Sequence, residues 1–412
     1  MSASTIMRAA LALAFVGVVH GAADTGASSA TACKATCTGV GAAKVCVFTA
    51  KMDLHASSTG YYTFDECGNT PMPVIEMEQG VEYRFIQNDK TNWFHPLGFA
   101  YFADGAHKDV DELEPGISQS AGDTCKAGNT CQAPRYFKNN TFLGKNFDNV
   151  AKVGGEDFGL DVFEPQFQTS YGDWQTAMAV GTGYEVRLTL TDTTYAKDIF
   201  YFCHVHNAMS GRVKVVKAGT AGGVANHISA KDEPALGYTY EAPSAFDKGC
   251  GTYGTDKFNR DSKTCGTGDA FFCTETGTSA AMQSFGNCLY AMDCHMNHQM
   301  RVNLHWDTPT VTFMHQMIPH HTNAVNMAKA LMKAGYTDNA DAEVEDLVMD
   351  IINVQNKQIN VMTAWLAAGK HAVQPVCEYG KPAEKTAAAV SAAPTSIIAL
   401  CVTAVAAAVS MM

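Results

Sequence analysis

The sequence predicts two domains, an all-β sandwich followed by an all-α helical bundle, on three observations. With 412 residues, 46% of them hydrophobic and 17% charged, the chain is long enough to bury two cores. Its first half carries short apolar runs of strand character, among them Val81-Glu82-Tyr83-Arg84-Phe85-Ile86 and the run ending at Cys203. From Ala281 to Gly369 the pattern changes to long helical periodicity without strand signals, and 10 of the 19 Met fall between Met282 and Met362.

The chain opens with Met7-Arg8, an apolar run from Ala9 to Val19 and the small residues Gly21-Ala22-Ala23. A short charged region, a hydrophobic core and a small-residue cleavage site predict a secretory signal peptide over residues 1–23. Cysteine usage agrees with export. Of 14 Cys, Cys401 lies in a hydrophobic tail and Cys203 in the motif below, leaving 12, an even number suited to six disulfides in an oxidising compartment. The pairing is not readable, although Cys33 with Cys37 and Cys125 with Cys131 are close candidates. The sequon Asn139-Asn140-Thr141 is expected in a loop, with Asn139 as its acceptor. A balance of 29 basic to 41 acidic residues, without a basic patch, argues against nucleic acid as a partner.

The all-β domain is expected over residues 24–217, with an insertion at 104–180 that either covers a site or adds strands. Its densest chemistry is Tyr201-Phe202-Cys203-His204-Val205-His206-Asn207-Ala208-Met209. One thiolate, two imidazoles and a thioether at the end of an apolar run suit copper, whose blue sites use two His and one Cys in a plane with a weak axial Met. Cys203 and His206 converge if a strand ends in a tight loop there, and Met209 can close the site axially. A second His must come from elsewhere, and His95 in Asn92-Trp93-Phe94-His95-Pro96-Leu97-Gly98-Phe99 is the candidate. The alternative makes Cys203 a disulfide partner and these His surface groups. Side chains alternate along a strand, so His204 and Phe202 are expected to face away if Cys203 and Tyr201 face the metal. His55, His107, His227 and His371 are expected at the surface.

Residues Pro73 to Phe99 and Gly183 to Val216, with Arg212-Val213-Lys214-Val215 as a last strand, resemble a cupredoxin. The resemblance implies a Greek-key sandwich with copper held by His95, Cys203, His206 and Met209. The two residues between His206 and Met209 resemble the copper loop of cytochrome oxidase subunit II more than that of plastocyanin. His204 directly after Cys203 resembles multicopper oxidases, in which such a His serves a second copper centre.

Residues 218–280 read as a linker followed by a Cys-rich segment, Cys250 to Cys273. The helical domain is expected over 281–370. Thr308-Pro309 marks a helix start with Pro at the first position. Residues three, four and seven apart share a helix face, so Met314, Met317 and His321 form one stripe, and Met317, His320 and Met327 another. An upstream helix repeats the theme with Met292, His295, Met296 and His298. Thioether with imidazole is a Cu(I)-binding surface; Met at helical spacing is equally a core filler. A later stretch carries Met349 and Met362 with the polar Asn353, Asn356 and Asn360.

Phe313-Met314, Met317-Ile318-Pro319-His320-His321, Met327-Ala328, Asp350-Ile351-Ile352 and Met362-Thr363-Ala364-Trp365-Leu366 resemble a bacterial family, domain of unknown function 305. That resemblance implies a ferritin-like bundle, akin to CopM-like periplasmic copper-binding proteins, with copper on His320, His321, Met317 and Met327; His295 and Met296 are further candidates. Residues 371–412 read as a spacer and a hydrophobic end, Thr395 to Met412, that predicts a glycolipid-anchor signal and attachment to a membrane surface. The expected function is copper sequestration, delivery or redox handling at the cell surface, with copper as the cofactor and no catalytic residue assigned. The alternatives are a copper-dependent oxidoreductase of multicopper-oxidase type and a surface interaction protein with vestigial metal sites.

Overall fold

The computed structural model describes residues 32–108, 112–113, 134–144, 159–181, 183–190, 198–217, 236, 238, 240–262, 264–265, 276–302, 308–335 and 342–371. The expected signal peptide, the linker residues 218–235, the tail from 372 onward, His227 and the cysteines Cys125, Cys131 and Cys273 lie outside the described residues.

The N-terminal region is built of β-sheet. One sheet runs in the order β1 (Thr36–Thr38), β2 (Val45–Asp53), β5 (Glu82–Gln87), β9 (Tyr184–Thr189), β7 (Arg135–Lys138) and β8 (Thr141–Phe142), with β3 (Tyr61–Phe64) also paired to β2. The other runs β4 (Ile75–Glu78), β11 (Gly211–Val216), β10 (Ile199–Cys203) and β6 (Leu97–Ala100). Alternation along β2 and β5 turns Phe48, Ala50, Tyr83 and Phe85 inward. They meet the second sheet through aromatic contacts, Phe85 with Phe99 at 4.7 Å and Phe64 with Tyr201 at 5.3 Å between ring centroids. Each such buried ring contributes about 1.5–3 kcal/mol by leaving water.

The second sheet is buried on both faces, and its outer face carries charge. Asp198 accepts from Lys214 Nζ at 2.7 Å and from Arg212 Nη1 at 3.3 Å, all three inaccessible to solvent, while Arg212 lies 4.9 Å over the Phe200 ring. Pairing and ring contact together offset the desolvation of these ions.

The insertion adds to the first sheet rather than forming a separate layer. Its β7–β8 hairpin turns on Asn139 and Asn140, both exposed, with φ of 49° and 62°, the left-handed pair that a two-residue hairpin requires. The sequon thus sits on a hairpin tip rather than in an irregular loop. The insertion also supplies α1 (Leu160–Gln166) and α2 (Tyr171–Val180), which pack behind the His95 loop.

The disulfides are Cys33–Cys67, Cys37–Cys46, Cys250–Cys288 and Cys265–Cys294 among the described residues. The expected Cys33–Cys37 pair is therefore wrong. Antiparallel pairing of β1 with β2 sets Cys37 opposite Cys46, while Cys33 bridges to Ile75 and reaches Cys67.

The C-terminal region is helical, with α3 (Ala245–Cys250), α4 (Ala280–Gln299), α5 (Pro309–Lys333) and α6 (Ala342–Ala368). Helix α5 begins with Pro309 as expected and runs through Pro319. No helix among the described residues is long and apolar enough to cross a membrane. The helices dock against the β region through polar and apolar groups together. Lys329 is buried, and its Nζ donates to Ser57 O and Ser58 O at 2.7 Å each; burial pushes its pKa down to about 7. Met349 is the helical residue that enters the main β core, with Met332 and Val354 packed against it.

The charge cluster yields a stability prediction. Asp198→Ala takes a carboxylate away from two buried cations and is expected to cost about 3 kcal/mol, read as a lower midpoint with unchanged slope in chemical denaturation; a midpoint within error of the parent would show that the carboxylate contributes nothing.

Candidate metal centre

Strand pairing brings the expected ligands together. In the β10–β6 ladder Cys203 stands opposite Leu97, and His204 N donates to Pro96 O at 3.1 Å, extending the ladder by one step. His95, two residues before Leu97, is thereby set beside Cys203. His206 comes back to the same point through the tight loop after Cys203, whose Sγ accepts from the backbone N–H groups of Val205 and His206 at 3.4 Å.

The three side chains form the one group of at least three His, Cys, Asp or Glu among the described residues whose ligand atoms all lie within 4.8 Å of one another. His95 Nδ1 is 3.3 Å from His206 Nδ1, and Cys203 Sγ is 3.7 Å and 3.9 Å from these two nitrogens. Three donors held about 2.0–2.3 Å from one ion stand roughly 3.4–3.9 Å apart, so the spacing suits a single metal. The chemistry fits as well. His206 Nε2 donates to Asn353 O at 3.0 Å, which leaves its Nδ1 a lone pair aimed at the cluster. His95 Nε2 is buried without a hydrogen-bond partner.

Burial sets the protonation of the site. It pushes His206 down to about 4, against the opposing pull of the Asn353 carbonyl, and His95 well below its ordinary value, with the neighbouring His206 adding to the shift. Both rings are therefore neutral, as ligands must be. Burial pushes the Cys203 thiol up to about 12, opposed by the His206 and Val205 N–H groups and by the Tyr62 hydroxyl. A cation would reverse that preference by replacing the thiol proton.

Several supports of the site escaped the sequence reading. Gln87, fully buried, donates from Nε2 to His95 O at 2.7 Å and to Asn92 Oδ1 at 3.1 Å, and accepts from Leu97 N at 3.0 Å. Tyr62 also donates to His95 O, at 2.9 Å. Phe94, at a φ of 62°, is held by its N–H to Phe167 O at 3.0 Å, so α1 braces the loop. Asp104 accepts from Ala208 N, Met209 N and Ser210 Oγ at 3.1, 3.3 and 2.9 Å, clamping the far side of the ligand loop. A polar residue in a strand, Gln87, and an Asp-Gly turn at 104–105 were the signals present, each too common to single out.

Met209 is fully buried in the core cluster that includes Cys203. His204 faces away from the Cys203 cluster, as alternation along β10 requires: its ring packs at a tilt against Phe202 at 4.7 Å, and Nδ1 is 3.5 Å from Glu112. His107 and His55 are more engaged than expected. His107 Nε2 lies 3.1 Å from Cys203 O, and His55, half-buried, lies 2.8 Å from Gly251 O.

The helical candidates occupy separate places. The Sδ atoms of Met296 and Met327 flank Asn323 Nδ2 at 3.4 and 3.7 Å. His295 packs at a tilt against Phe258 at 4.6 Å and, with His315, lines a cavity of about 370 Å³. His320 is exposed beside His321, with ring centroids 5.8 Å apart. His321 is engaged at both nitrogens, 2.9 Å from Met317 O and 2.9 Å from Gln358 Oε1. Met314 and Met317 are half-buried on α5.

No curated protein matches the chain, and no solved structure does. One family does match, the one described as Domain of unknown function (DUF305), over residues 310–408. The match starts at the second residue of α5, so α4 and the whole metal cluster with its β-sheets fall outside it, and the chain carries a DUF305 domain at its helical C-terminal end.

Proposed function

We propose that the protein handles copper at the cell surface, binding one ion in a cupredoxin-like Greek-key domain through His95, Cys203 and His206, with Met209 as the axial ligand. The observation that carries this reading is the convergence of two neutral imidazole Nδ1 atoms on Cys203, the free cysteine beside eight described cysteines tied in disulfides. Two His and one thiolate with a buried thioether nearby form the donor set that copper uses for electron transfer. Two neutral imidazoles and one thiolate in a buried site hold Cu(I) and Cu(II) with little rearrangement, which suits storage, delivery or redox handling.

The helical region is a ferritin-like bundle in this reading and takes further Cu(I) on its thioethers and imidazoles. Met296 with Met327 around Asn323, and His320 with His321, are the places where such donors meet. Four disulfides favour an oxidising compartment, in keeping with a cleaved signal peptide, a glycan on Asn139 and a glycolipid anchor.

Three measurements test these statements. Adding Cu(II) to the mature protein is expected to produce a visible thiolate-to-copper absorption band; Cys203→Ser abolishes it and removes one copper, and His320→Ala with His321→Ala lowers the remainder. Unchanged copper content in both variants would sink the proposal. Asp104→Ala is expected to keep the thiolate band but alter its intensity ratio as Met209 loosens, and to cost about 1–3 kcal/mol of stability from the orphaned loop N–H groups; an identical spectrum would remove Met209 from the site. Phosphatidylinositol-specific phospholipase should release the protein from cells, and retention on the membrane would count against the anchor.

A further inference from the structure

We infer that helix α6 of the helical region is the gate of the metal centre, and that docking of the helices and loading of the β-region metal are coupled; this inference rests on the copper reading above. The argument starts from Asn353. It is buried in the middle of α6, and its main-chain carbonyl, using the second lone pair that a helical carbonyl retains, accepts from His206 Nε2 at 3.0 Å. Its Nδ2 donates to Met349 O at 3.1 Å, one turn back on its own helix, which turns Oδ1 outward. Asn353 Oδ1 and His95 Nε2 are both buried without a hydrogen-bond partner. A metal drawing on His95 Nδ1 makes the opposite N–H a stronger donor, and Asn353 Oδ1 is the acceptor at hand. Asn353 of α6 thus holds the outer nitrogen of His206 through its main chain and brings an unpartnered buried acceptor with it.

The site is closed as a result. His95, His206 and Cys203 have no solvent-accessible surface, and α6 covers the outer edge of the His206 ring. Apolar contact of the helix with the main β core comes, among the described residues, from Met349 and the half-buried Val354. Around them its contacts are polar, Asn356 Nδ2 to Ser58 O at 3.1 Å near the centre, Lys90 to Glu345 at 2.8 Å and Lys357 Nζ to Gln168 at 2.9 Å on the rim. Interfaces of that character within one chain permit relative motion of their halves. Copper enters and leaves, and any copper donor or acceptor reaches the imidazoles, when α6 lifts. By reciprocity, a metal that strengthens the hydrogen bonds to Asn353 tightens the docking by the same factor as the docking tightens the metal.

The test uses the mature full-length protein loaded with Cu(I) and a competing chelator. Glu345→Lys opposes Lys90 at the rim without touching the site, and is expected to speed copper release by about tenfold or more while leaving the Cu(II) absorption band in place. The charge-swapped pair Lys90→Glu with Glu345→Lys should return the rate to near that of the parent, which a folding defect would not do. Hydrogen exchange of the α6 amides should slow on copper loading in the parent, and slow less in Asn353→Ala. Equal release rates in parent and Glu345→Lys, or α6 exchange indifferent to copper, would overturn the gate while leaving the copper site intact. A parent protein that takes up no copper at Cys203 would overturn both.

Discussion

The antiparallel pairing of β6 with β10 is the interaction on which the rest of the centre depends. Register in a ladder is set residue by residue, and a slip of one would send every inward side chain to the other face. With Leu97 opposite Cys203, the thiol faces the core beside His95, and His204 faces the other way toward Phe202 and Glu112. The same register puts the loop after Cys203 where Asp104 can hold it and where His206 folds back on the thiol. Gln87 and Tyr62 secure the other half by holding the His95 carbonyl. These polar groups are buried and matched to partners, which is how an irregular loop can be rigid.

Burial gives the site its chemical character. Two imidazoles held neutral and a thiol pushed up to about 12 describe a dry pocket that disfavours charge on its own ligands. Lone pairs converging at 3.3–3.9 Å in such surroundings repel unless a cation or a proton lies between them. The pocket is dry because structure surrounds it on all sides, with sheet behind, α1 and α2 bracing the His95 loop, and α6 across the outer edge of the His206 ring. The helical region is therefore part of the environment of the His95, Cys203 and His206 cluster.

Much of this was legible in the residues. The division into a β region and a helical region followed from the change in periodicity, and the three converging ligands from Cys-x-x-His with a distant His, because strand-loop geometry constrains where such side chains can go. The DUF305 segment was legible from its Met-Ile-Pro-His-His string. Disulfide partners were not: Cys33 and Cys37 are neighbours in sequence, but strand pairing gives Cys37 to Cys46. Nor were the contacts of Asn353 and Asn356: the main-chain carbonyl of Asn353 meets His206 and the side chain of Asn356 meets Ser58, 147 and 298 residues away.

Local chemistry and periodicity determined, by sequence alone, which residue types could form a soft-metal site and which segments would be strand or helix, since both depend on spacings of a few residues. What the tertiary structure decided was the contacts made across long separations: Gln87 on the His95 carbonyl, Asp104 on the loop after Cys203, and α6 on the outer edge of His206. Those depend on how the sheets register and where the helices dock, and no short spacing encodes either.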